Sequence, residues 1–114
     1  MFKTLSYPTV DAELLTEIVR RFLAAGSPQK IVLFGSHARG DARAGSDLDL
    51  LVIEDSREPR SRRAARYYVA LDGLFPETDI VVWSPIEVTE WSAVPDHFIT
   101  TALREGRTLH ENSF

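Results

Sequence analysis

Two short apolar runs, Lys30-Ile31-Val32-Leu33-Phe34 and Asp47 to Ile53, are separated by a polar stretch with glycines at positions 35, 40 and 45. Each run reads as a buried strand. Parallel neighbours need a crossover of a dozen or more residues, usually a helix. Residues 35 to 46 are too small, polar and glycine-broken to supply more than a helical turn. The two strands therefore pair antiparallel, and a sheet built from them together with helix-linked strands must be mixed.

The rest of the chain supplies those helices. Leu14, Leu15, Ile18, Val19, Phe22 and Leu23 recur at spacings of three and four, with Glu13, Glu17, Arg20 and Arg21 between them. That is an amphipathic helix, capped near Thr9 or Asp11 and ended by Gly26. A second helix is predicted over Pro59 to Phe75, with Ala64, Tyr68, Leu71 and Phe75 as its apolar stripe and Arg62, Arg63 and Arg66 off it. Thr78 to Trp83 is rich in β-branched residues and reads as a third strand. Ser84-Pro85 opens a short helical segment through Glu90, and Trp91 to Pro95 reads as a connecting loop. Asp96 caps a last helix that ends at Gly106, and Arg107 to His110 form a final edge strand. The expected class is α+β, bordering on α/β, with a small mixed β-sheet flanked by about four helices.

Composition narrows the function classes. With 114 residues the chain is read as a single domain, 1–114. It has no cysteine, which excludes disulfides, thiolate zinc sites and cysteine nucleophiles and suits a reducing, cytoplasmic compartment. No apolar run approaches the roughly 20 residues of a membrane span, and Met1 to Pro8 lack the features of a signal peptide. There are 13 basic residues against 17 acidic ones, a net charge of −4, which argues against a nonspecific nucleic-acid binder.

The acidic residues have an unusual placement. Side chains alternate along a strand, so Asp47 and Asp49 share one face while Leu48, Leu50 and Val52 take the other. Asp is a poor strand former, so local propensity does not account for the pair. Asp79 opens the third strand and joins them if that strand lies beside the second. Three carboxylates in one site repel, at roughly 3 kcal/mol per ionised pair at about 5 Å and an effective dielectric near 20. Either raised pKa values or a bound divalent cation relieves this, and an all-oxygen donor set suits Mg²⁺ or Mn²⁺. The alternative is that Asp47 and Asp49 are turn or strand-end residues, since Gly45-Ser46 precede them.

Gly35-Ser36 follows the first strand directly. A glycine there lets backbone N–H groups approach an anion, and a serine hydroxyl adds a donor. Arg39, three residues on, carries a guanidinium matched to phosphate. A plain polar turn is the alternative. The stretch is not a Walker A loop, because no Gly-Lys-Ser/Thr follows.

Taken together, Gly35-Ser36, ten residues and then Asp47-x-Asp49 resemble the signature of the polymerase-β-like nucleotidyltransferase superfamily. Gly35-Ser36-His37-Ala38-Arg39-Gly40 followed by Ser46-Asp47-Leu48-Asp49-Leu50 is similar in particular to the minimal nucleotidyltransferases (MNT), the antitoxins of HEPN/MNT pairs. The resemblance implies the nucleotidyltransferase fold. It implies that Asp47 and Asp49 bind two Mg²⁺ ions carrying a nucleoside triphosphate. Asp79 matches the family's third carboxylate, a metal ligand or the base for the acceptor hydroxyl. Gly35 and Ser36 match the phosphate-cradling dipeptide, and Arg39 a basic position near the triphosphate. The implied activity is Mg-dependent transfer of AMP from ATP to a hydroxyl, in particular a tyrosine of a HEPN-type helical toxin, in a type VII-like toxin–antitoxin pair. A small-molecule hydroxyl acceptor, or a nucleotide-binding partner that neutralises a toxin by occlusion without turnover, are the alternatives. Self-association stays open.

Other residues are read more plainly. Arg57, Arg60, Arg62, Arg63 and Arg66 form either a solvated helix face or a docking patch for an acidic partner. Tyr67 and Tyr68 read as core and rim packing, and Trp83 as packing near the site. His37 is given no role, and His97 and His110 are expected at the surface.

Overall fold

The computed structural model describes residues 10–43, 45–74 and 76–112. Helix α1 (Ala12–Ala25) begins where the Asp11 carboxylate accepts the Leu14 N–H at 2.9 Å, and Gly26 closes it. Thr9, the other candidate cap, lies outside the described residues. Strand β1 (Lys30–Phe34) leads into a single helical turn, α2 (Ser36–Arg39), and then into β2 (Leu48–Ile53). Two short helices follow, α3 (Arg60–Arg63) and α4 (Ala65–Ala70), before β3 (Thr78–Trp83). The chain then forms α5 (Pro85–Trp91), α6 (Phe98–Glu105) and β4 (Arg107–Glu111).

The four strands make one sheet in the order β3-β2-β1-β4. As expected, β1 and β2 run antiparallel, and β4 pairs antiparallel with the other side of β1. The helical crossover through α3 and α4 makes β3 parallel to β2. This is the mixed α+β sheet that the missing crossover helix required.

Apolar alternation sorts the core onto two faces. Ile31, Leu33, Leu48, Leu50, Val52, Ile80 and Val82 meet Leu15, Ile18 and Phe22 of α1 and Tyr67 of α4. Each large aliphatic or aromatic side chain removed from water there contributes on the order of 2 kcal/mol. Val32, Leu51, Ile53 and Trp83 face the other way, against Ile99 and Ala102 of α6. No helix among the described residues is long and apolar enough to cross a membrane.

The single helix expected over 59–75 is in fact two. Residues 60–63 are all polar and present no apolar face to bury. Only the second piece is anchored, and the Ala64 carbonyl accepts from both Tyr67 and Tyr68 N–H at the junction. Of the expected stripe, Leu71 is buried and Ala64 packs against the core, but the tyrosine differs. Tyr67, not Tyr68, enters the core, while Tyr68 sits half exposed at the rim. There its hydroxyl accepts the Ile80 N–H of edge strand β3 at 2.9 Å. Phe75 lies outside the described residues.

Within the arginine stretch Arg57 and Arg62 are exposed, as on a solvated face, whereas three others are paired. Arg60 and Arg63 both pair with Glu87 of α5, and Arg60 lies 4.3 Å over the Trp83 ring. Arg66 pairs with Glu58 and with buried Glu54. Glu87 also completes a capping box with Ser84. Burial pushes the Glu87 carboxyl up, but Arg60, the Ser84 N–H and Arg63 more than offset it, holding it at about 2. Arg60 and Arg63 thus stitch the crossover to the β3–α5 junction, and Arg66 ties it to the end of β2.

Two further expectations fail at the last helix. His97, not Asp96, caps α6: its Nδ1 accepts the Ile99 N–H at 3.2 Å, while Asp96 takes a positive φ of 64° in the turn before. His97 is therefore not a plain surface residue. Its ring stacks on Trp91 at 4.8 Å and meets Trp83 edge-on at 5.5 Å. Trp91 itself ends α5 rather than lying in a loop.

Candidate active site

The parallel register between β2 and β3 sets Asp49 directly beside Asp79. Neighbouring strands lie about 4.8 Å apart, so alternation puts both carboxylates on the sheet face that α6 covers. Asp47 stands just before β2. Asp47 and Asp79 are exposed, whereas Asp49 is half-buried. Burial raises the Asp49 carboxyl above its ordinary range, and the charges of Asp79 and Asp47 raise it further. His37 and Arg39 act in the opposite direction. The three predicted carboxylates therefore form one electrostatic unit. They do not converge on one point: among the described residues no three His, Asp or Glu side chains are arranged to hold a single ion.

Antiparallel pairing brings the glycine loop to the same place. Phe34 pairs with Asp49, so the next residue, Gly35, emerges against the Asp49 carboxylate. Gly35 has φ +75° and ψ −156°, a region essentially confined to glycine that costs another residue about 1–3 kcal/mol. A Cβ there would also press into Asp49 Oδ2 well inside van der Waals contact. Only glycine lets backbone and carboxylate approach so closely. Gly35→Ala is expected to lower the unfolding free energy by about 1–3 kcal/mol, read as a shift in denaturant midpoint. An unchanged midpoint would show that Asp49 swings aside without cost.

Ser36 begins α2, where the first N–H groups of a helix have no intrahelical partner. The turn is held by Ala38 and Arg39 N–H donating to the Gly35 carbonyl and ends at Gly40, φ +85°. Arg39 is half exposed, and its Nε donates to Asp41 at 3.1 Å. That ion pair, chiefly, raises the Arg39 pKa, with smaller contributions from Glu105 and Asp49. Arg39 thus sits beside the carboxylates but is already shared with a surface acid.

His37 has a place the sequence did not disclose. Its Nε2 lies 3.0 Å from the Ser46 carbonyl, tying α2 to the residue before Asp47. Ser46 N–H donates to the Arg43 carbonyl, and Arg43 N–H to Ser46 Oγ, closing a small turn that delivers Asp47 to β2. The only signal for this was a histidine inside the motif loop. Trp83 shares the face of Asp79 but is buried against α6 and the aromatic group, so it packs rather than lines the site.

A donor set of carboxylates beside a glycine loop, with one arginine at hand, is suited to a cation and a polyanion together. The family model for the nucleotidyltransferase domain matches residues 12–108. Among solved structures, a toxin–antitoxin crystallised with AMP-PNP superposes with a TM-score of 0.63 at 18% identity, covering 87% of this chain and 74% of that one. A protein of Sulfolobus solfataricus, assigned provisionally as a nucleotidyltransferase, gives a TM-score of 0.53 at 22% identity, covering 68% of this chain and 70% of its own. At such identities the likeness speaks for the fold. No curated protein sequence matches the chain.

Proposed function

Because this chain belongs to the nucleotidyltransferase domain family, we propose that it is a minimal nucleotidyltransferase that transfers AMP from ATP to a hydroxyl, a tyrosine of a HEPN-type helical toxin. In that reading it is the antitoxin of a cytoplasmic toxin–antitoxin pair. The observation that carries the reading is the meeting of Gly35 with Asp49, and of Asp49 with Asp79, at adjoining strand ends. The toxin–antitoxin neighbour with AMP-PNP supports the partner and the nucleotide.

The residues fit a divalent metal by their chemistry. All three donors are carboxylates, and the half-buried one carries a repulsion that a cation would remove. Asp47 and Asp49 would hold Mg²⁺, two ions in the full reading, which leaves Asp79 for the acceptor. The metal would neutralise charge on the phosphate oxygens.

The chain's own groups do the rest. Ser36 and the N–H groups at the start of α2 bind phosphate oxygens, and Arg39 turns from Asp41 to the triphosphate. Asp79, exposed at the sheet edge, accepts the proton of the acceptor hydroxyl. The hydroxyl oxygen then bonds to the α-phosphorus as the bond to pyrophosphate breaks.

Intact mass measurement tests this directly. The protein is incubated with Mg²⁺, ATP and the helical protein that binds it. A gain of one or more AMP units on that partner, mapped to tyrosine, is expected. Tight association with no mass gain would replace transfer by occlusion.

A further inference from the structure

A cavity of about 280 Å³ opens beside the carboxylates, between the end of β1 and helix α6. It is lined by Phe34, Phe98 and Ala102 and by Arg39, Thr101 and Glu105. Gly35 forms the boundary with Asp49. Its lining thus mixes apolar and polar side chains, and it adjoins the site at the glycine loop. Ligand cavities usually span roughly 300–1,000 Å³, so this one suits part of a ligand whose remainder lies outside.

The Phe98 ring is fixed in place. It packs 5.4 Å from Trp83, 5.1 Å from His97 and 6.4 Å from Phe34, yet stays 39% exposed. An aromatic ring packed among others and still partly open to solvent can serve as a stacking platform.

We propose, on the nucleotidyltransferase reading above, that this cavity holds the nucleoside half of the triphosphate. The base stacks on Phe98, and Glu105 accepts hydrogen bonds from the ribose hydroxyls with Thr101 beside it. Sheet order favours the nucleoside over the acceptor as occupant. The cavity lies on the β1 side of β2, next to Gly35 and Arg39, where the phosphates would sit. Asp79 lies on the other side of β2, on edge strand β3, and the acceptor comes from there. Arg39, which lines the cavity, is the cation the polyphosphate would meet on the way from sugar to metal.

Equilibrium binding of ATP and of inorganic tripolyphosphate, each with Mg²⁺, separates the two halves of the ligand. The parent protein is expected to bind ATP about tenfold or more tighter than tripolyphosphate, a typical contribution of one stacked base. Phe98→Ala should reduce most of that ratio while leaving tripolyphosphate affinity unchanged, and Glu105→Gln, which also removes a negative charge acting on Arg39, should lower the ratio. The ratio of 2′,3′-dideoxy-ATP to tripolyphosphate affinity should be insensitive to Glu105→Gln. An unchanged ATP-to-tripolyphosphate ratio in both variants would overturn the cavity as the nucleoside site and leave the transferase reading standing. Should Phe98→Ala weaken tripolyphosphate as well, the exposed Glu105→Gln decides. If the parent protein binds neither ligand, the nucleotide reading falls and the cavity with it.

Discussion

Asp49→Asn is expected to leave the protein folded and to lower nucleotidyl transfer by about a thousandfold or more, near 4 kcal/mol of transition-state stabilisation. Asparagine keeps the shape that fits against Gly35 but removes the negative charge at the centre of the carboxylate group. That charge is held against burial and against Asp79 and Asp47, so the folded chain gains nothing from it unless a cation is bound. The thermal midpoint should therefore stay level or rise slightly while transfer of α-labelled phosphate from ATP disappears. Full activity in the variant would remove Asp49 from the chemistry, and a collapse of the midpoint would make it a structural residue.

The second large effect is opposite in kind. Glu54 follows the far end of β2 and is 5% exposed. Its carboxylate accepts from the Tyr67 hydroxyl and from the Ser27 N–H at 2.8 Å, and pairs with Arg66 at 3.7 Å. One buried acid thus joins the end of α1, the end of β2 and helix α4. Glu54→Ala strands a buried hydroxyl and an amide at once. The expected cost is about 3 kcal/mol, or a midpoint lower by roughly 10 °C. Molecules still folded should transfer normally, because Asp49 lies at the opposite end of the strand. A midpoint within a degree or two of the parent would mean that water replaces the carboxylate freely.

Much of this was legible in the chain. Alternation along Asp47 to Val52 put the acids on one face, and the lack of a crossover helix forced β1 and β2 antiparallel. Both follow from backbone geometry that no distant residue can change. What the sequence left hidden depends on distant partners. Whether Tyr67 or Tyr68 turns inward is set by the rotation of α4, and that rotation is fixed by Glu54, thirteen positions earlier. The arginines of the crossover read as a charged surface until Glu87, more than twenty residues on, is folded back over them. His97 displaced Asp96 as helix cap because its ring gains the faces of Trp91 and Trp83. His37 could not be given a task without the position of the Ser46 carbonyl.

The pairing of Phe34 with Asp49 has a consequence for what the motif measures. Hydrogen bonds between two strands bring the glycine and the acid together, whatever length of chain joins them. The ten residues between Ser36 and Asp47 are therefore slack, not a ruler. Residues added or removed near Arg43 would change the size of a surface turn and leave the chemistry where it stands. A one-residue slip of the same two strands would keep the count of ten and destroy the site.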